Sequence, residues 1–101
     1  MSLPPDVENA LAEQFPALGD RTRAQRALGS LGRQRLNVGR DQAVRAVIVL
    51  ASGDVRRIES LCAEAQIDPR DTLMVANARL VNRHYWFDQP LPEMGPLRDD
   101  R

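Results

Sequence analysis

The sequence predicts an all-α fold: a small bundle of four to five short helices followed by a non-helical tail rich in aromatic residues and proline. Three observations carry this. Apolar residues recur at spacings of three and four, as in Val55, Ile58, Leu61, Cys62 and Ala65. Two stop-and-restart signals, Ser52-Gly53-Asp54 and Ile67-Asp68-Pro69-Arg70-Asp71, cut residues 41–83 into three consecutive helices. The chain is 43% hydrophobic but only 4% aromatic, so its core is drawn largely from alanine, valine and leucine, which suit closely packed helices.

Each element has a local reason. The first helix begins after Pro4-Pro5 with Asp6 at or near its cap, and sets Val7, Ala10, Leu11 and Phe15 on one face. Pro16 stops or bends it, because proline disfavours helix in the residue before it. A second helix starts at Asp20, runs through Ala24, Ala27 and Leu28, and ends at Gly29-Ser30-Leu31-Gly32, leaving residues 33–40 as a connector.

The third helix, Asp41 to Ser52, has Val44, Val47, Ile48 and Ala51 on one face. Val49 and Leu50 widen that arc, which implies burial on more than one side. Glycine can end this helix left-handed, and Asp54 can cap the fourth. At the next signal Asp68 caps the fifth helix, with Pro69 at its first position and Asp71 at its third. The fifth offers Leu73, Ala76, Leu80 and Val81, and the short connections imply neighbouring, antiparallel helices. The expected organisation is one helical domain over 1–84 with its core at 41–83. The tail, 85–101, packs on that domain or on a partner.

The run Arg45-Ala46-Val47-Ile48-Val49-Leu50-Ala51-Ser52-Gly53-Asp54, with Ala65-Gln66-Ile67-Asp68-Pro69-Arg70-Asp71 after it, resembles a pattern in small, uncharacterised bacterial helical proteins. These carry a leucine-alanine-x-glycine-aspartate turn and then an alanine-x-x-aspartate-x-arginine-aspartate turn. The similarity spans residues 43–78, with Pro69 standing where an aromatic often precedes the arginine. It implies a helical fold and no activity.

Composition narrows the function. Fourteen basic residues, all arginine, balance fourteen acidic ones, so net charge exerts no whole-protein pull toward nucleic acid or an anionic membrane. The longest apolar stretch, Ala46 to Ala51, is too short to span a bilayer, and the first residues lack a secretory signal. Cys62 stands alone and can form no internal disulfide. A cytoplasmic protein without membrane contact is the expectation.

Chemistry-bearing groups are sparse. Nucleophilic catalysis needs a nucleophile beside an oriented base, yet Cys62 and His84 fall on different helices, so no catalytic residue is assigned and no enzyme is expected. Neither Cys-x-x-Cys nor His-x-x-x-His spacing occurs, and capping accounts for Asp68 and Asp71, so no metal is expected. A P-loop requires a lysine, and no cofactor is expected.

Three sets of residues remain as candidates. Arg21, Arg23, Arg26, Arg33, Arg35, Arg40 and Arg45 concentrate positive charge and could meet phosphates. The competing account is an internal match with the acidic first helix (Asp6, Glu8, Glu13, Asp20), and the overall charge balance favours it. A helix-turn-helix rhythm over Ile58–Leu73 and a KH-like Gly29–Gly32 loop are both poor matches.

Arg56, Arg57 and Arg70 sit in first helical turns, where the dipole disfavours cations by ~0.3–1 kcal/mol each. They are offset either by nearby carboxylates or by an anion held at the helix ends. Tyr85, Trp86, Phe87, Leu91 and Met94 either complete the core or dock on another subunit. The expected function is a non-enzymatic protein–protein interaction or adaptor module, with a protein partner that includes a second copy as a homodimer. A nucleic-acid-binding regulator using residues 21–45 is the alternative.

Overall fold

The computed structural model describes residues 3–31, 39–80 and 84–91, and forms five helices with no strand among them. They are α1 (Pro5–Gln14), α2 (Leu18–Leu31), α3 (Arg40–Ala51), α4 (Val55–Ile67) and α5 (Pro69–Ala78). The chain folds into a body of 31 × 30 × 24 Å.

α3 is the central element and touches each of the other four helices. Every residue from Ala43 to Ala51 is buried, as the widened apolar arc implies. Val44, Val47, Ile48 and Ala51 pack with Val7 and Leu11 of α1, Leu28 of α2, and Ile58 and Cys62 of α4. Its other side, Ala46, Val49 and Leu50, packs with Leu73, Ala76 and Leu80 and with Phe87 from the C-terminal segment. α3 thus separates two apolar clusters, and a helix enclosed on both sides can afford no solvated face. α5 touches only α3 and α4, as α1 touches only α2 and α3.

The two punctuation signals act as their chemistry requires. Ser52 closes α3 at φ 49° and Gly53 follows at φ 84°, both left-handed. Asp54 Oδ1 then accepts the N–H groups of Arg56 at 2.9 Å and Arg57 at 3.4 Å, and Asp68 Oδ1 accepts that of Asp71 at 3.1 Å. Replacing Asp54 by alanine is expected to cost about 1 kcal/mol in urea unfolding. An effect below about 0.3 kcal/mol would show that packing alone sets the start of α4.

Several expectations are corrected. Asp6 does not cap α1: Pro4 occupies that position and makes no side-chain capping bond. α2 begins two residues before Asp20; its end at Leu31 falls within the expected Gly29–Gly32 signal, past Gly29 itself. It continues because Leu28 and Leu31 are both buried, and burial outweighs the cost of about 1 kcal/mol for a helical glycine. Val81, Met94, Gly32, Arg33 and Arg35 lie outside the described residues, as does the 33–38 part of the connector expected at 33–40, whose last residue, Arg40, opens α3.

Candidate interaction surface

The C-terminal segment 84–91 has no regular hydrogen-bond ladder, so its backbone groups need side-chain partners. Three successive carbonyls receive them. Asn77 Nδ2 donates to Tyr85 O at 2.8 Å, Gln42 Nε2 to Trp86 O at 3.0 Å, and Arg45 Nη1 to Phe87 O at 3.1 Å. The Leu91 N–H then donates to Asp6 Oδ2 at 2.9 Å. Helices α1, α3 and α5 each contribute a side chain to this grip.

Arg45 and Asp6 form its centre. Arg45 Nε reaches Asp6 Oδ2 at 2.9 Å and Nη2 reaches Oδ1 at 3.2 Å, a two-pronged pair across α1 and α3. Arg45 is 7% exposed and paired with Asp6 of the first helix, as the internal-match account expects, so it does not join a solvated positive cluster. Partial burial by itself would raise the Asp6 pKa. The hydrogen bond from Arg45 and the Leu91 N–H outweigh it and hold the carboxyl below its ordinary 3.8. The bond to Asp6 likewise holds Arg45 above its usual value despite desolvation.

Phe87 is 0% exposed and is a core side chain rather than an interface residue. Its ring meets Tyr85 edge-on with centroids 4.9 Å apart. Burial pushes the Tyr85 phenol up to about 12, and that hydroxyl donates to Gln89 O at 2.7 Å. Leu91 is partly buried against both clusters, while Trp86 at 44% exposure is the open member of the set.

The remaining arginines are largely engaged within the fold. Arg21 Nε donates to Phe15 O at 3.0 Å and Nη2 to Pro16 O at 3.2 Å, closing the α1–α2 turn. Arg23 pairs with Glu59 of α4 at 2.6 Å, so the internal match draws on α4 as well as on the acidic first helix. Arg40 lies 3.5 Å from Asp41. The two border a hollow of about 420 Å³ with Gln42, Arg45 and Asp88, where acid and base are balanced. Arg26 is exposed.

Of the first-turn arginines, Arg57 Nε donates to Leu50 O at 3.3 Å. It thereby satisfies a carbonyl near the C-terminal end of α3, where a cation is favourable, and this offsets its place at the start of α4. Arg56 and Arg70 are exposed, Arg56 at the start of α4 and Arg70 at the start of α5.

The surface that sequence reasoning missed lies between α4 and α5. Two of the five exposed large apolar side chains among the described residues are there, Ile67 at 87% and Val75 at 46%, and a third, Met74 at 62%, is exposed elsewhere on α5. A cavity of about 250 Å³ opens beside them, lined by Leu50, Leu61, Ile67, Thr72 and Val75 and by Glu64, Asp68 and Asp71. Leu50 and Leu61 make it partly apolar, and every charged residue of the lining among the described residues is acidic. The available signal was Leu73-Met74-Val75, an apolar triplet wider than the buried face of α5 requires.

Cys62 faces the core, where burial and the nearby Glu59 push its thiol up to about 12, a value that disfavours the nucleophilic thiolate. His84 is exposed on the C-terminal segment beyond α5. No group of three or more metal-binding side chains occurs among the described residues. No helix among them is long and apolar enough to cross a membrane. Compared with known proteins, the chain matches no family model, no curated protein and no solved structure.

Proposed function

We propose that this protein is a non-enzymatic, cytoplasmic protein–protein interaction module that binds its partner through the α4–α5 surface. The observation that carries this is the exposure of Ile67 of α4 and Val75 of α5 at the edge of one cavity that also holds Leu50 and Leu61, with Met74 of α5 exposed as well. Open apolar surface beside an acidic rim is costly to leave in water and suits an interaction site. The internal bonds made by Arg21, Arg23, Arg45 and Arg57 leave less support for phosphate binding through the arginine-rich segment. The raised thiol of Cys62 gives a nucleophilic reading little support.

A photo-crosslinking amino acid introduced at Val75, with exposed Ala12 of α1 as the control position, tests this in native lysate with and without nuclease. Protein adducts specific to position 75 that survive nuclease are expected. Absence of any adduct, or adducts abolished by nuclease, would overturn the proposal.

A further inference from the structure

We infer that the occupant of the α4–α5 groove is a basic amphipathic helix of another protein, seating aliphatic side chains against Leu61 and Val75 and placing arginine or lysine beside Glu64 and Asp71. This rests on the interaction-module reading and names the partner's chemistry.

Size is the first argument. About 250 Å³ falls below the roughly 300–1,000 Å³ usual for small-molecule sites, but it accommodates individual side chains of a partner. The walls are two helices, whose ridges and grooves accept anchors spaced three, four and seven residues apart. α5 has 10 residues, so the groove runs for about 15 Å, or about three turns of a docked helix.

Charge is the second argument. Among the described residues, Glu64, Asp68 and Asp71 are the only charged ones in the lining. Asp68 is partly answered by the α5 backbone N–H that it caps. Glu64 is not answered in this way: it lies in the last turn of α4, at the negative end of the helix dipole, and no basic residue occupies that turn. A partner's cation placed there would relieve both the carboxylate and the helix end. The same charges argue against a second copy on this face. Two-fold pairing sets the same patch on both subunits, and so brings acidic rim against acidic rim.

The test is selection of a displayed random peptide library, about 16 residues long, on the full chain. Enriched peptides are expected to carry leucine, isoleucine or methionine at i, i+3 or i+4, and i+7, with arginine or lysine between them. The best peptide, made synthetically, should gain helicity on binding and weaken with added salt. Its affinity should drop by about tenfold or more on Val75→Asp and on the pair Glu64→Arg, Asp71→Arg.

Amide-shift mapping on the unaltered protein keeps the test valid should a variant fold poorly. The largest shifts should fall at Leu61, Glu64 and Val75. Acidic or uncharged winners, shifts elsewhere, or indifference to both variants would overturn the inference. So would a dimer in sedimentation equilibrium that Val75→Asp dissolves, since a second copy would then fill the groove. Crosslinks at position 75 together with winners of another chemistry would sink only this inference. Absence of those crosslinks would sink the interaction-module reading beneath it.

Discussion

Phe87→Ala is expected to lower the unfolding free energy by about 3–5 kcal/mol, a large part of the roughly 5–15 kcal/mol available to a domain of this size. The ring is wholly enclosed by α3, α5 and Tyr85, so its removal forfeits burial and leaves a cavity. The backbone at this position is strained whether phenylalanine or alanine occupies it. Phe87 sits at φ 68°, a left-handed conformation that costs a side-chain-bearing residue about 1–2 kcal/mol.

That strain persists because the ring and the Arg45 bond to the Phe87 carbonyl hold the residue from both sides. Phe87→Gly should therefore be less damaging than Phe87→Ala by about 1 kcal/mol, although it removes one more carbon. Paired urea titrations measure both differences. Equal stability of the two variants would show that the turn relaxes once the ring is gone. A loss below about 1 kcal/mol for Phe87→Ala would show that segment 84–91 contributes little to the core.

Arg45→Met should cost about 3 kcal/mol near neutral pH, because breaking a buried pair leaves Asp6 without its cation. The usual rescue by making both sites apolar should be incomplete. Asp6→Leu combined with Arg45→Met would also orphan Phe87 O and the Leu91 N–H, which the pair satisfies in addition to itself.

The pH dependence follows from the depressed Asp6 pKa. A carboxyl whose native pKa lies below its unfolded value contributes stability above about pH 4, and that contribution disappears as pH falls through the native value. The stability gap between the unaltered protein and Asp6→Asn should be level from neutral pH to about pH 5 and close in stronger acid. A gap that stays constant down to about pH 3 would remove Asp6 as the titrating group.

The helices and their breaks were legible because their causes are local. Asp54 and Asp68 reach N–H groups two or three residues away, and Pro16 and Pro69 act on their immediate neighbours. α2 shows how coarse such rules are, since the Gly29–Gly32 signal places the end of the helix only to within a few residues and the burial of Leu31 carries it past Gly29. Asp6 is a second case. A carboxylate after two prolines has the composition of a cap, yet the proximity of Arg45, 39 residues away, makes it an ion-pair partner instead.

Sequence alone determined the helical class with its four to five helices, the dual burial of α3 and the inward face of Cys62, because three- and four-residue spacing fixes which side chains share a face. Tertiary structure alone decided what each face meets. Val47-Ile48-Val49-Leu50 and Leu73-Met74-Val75 are both apolar runs wider than one face, yet the first is enclosed by four helices while Met74 and Val75 of the second face water. The physical reason is that burial depends on neighbours brought together by the folded chain, which a helix's own periodicity does not encode.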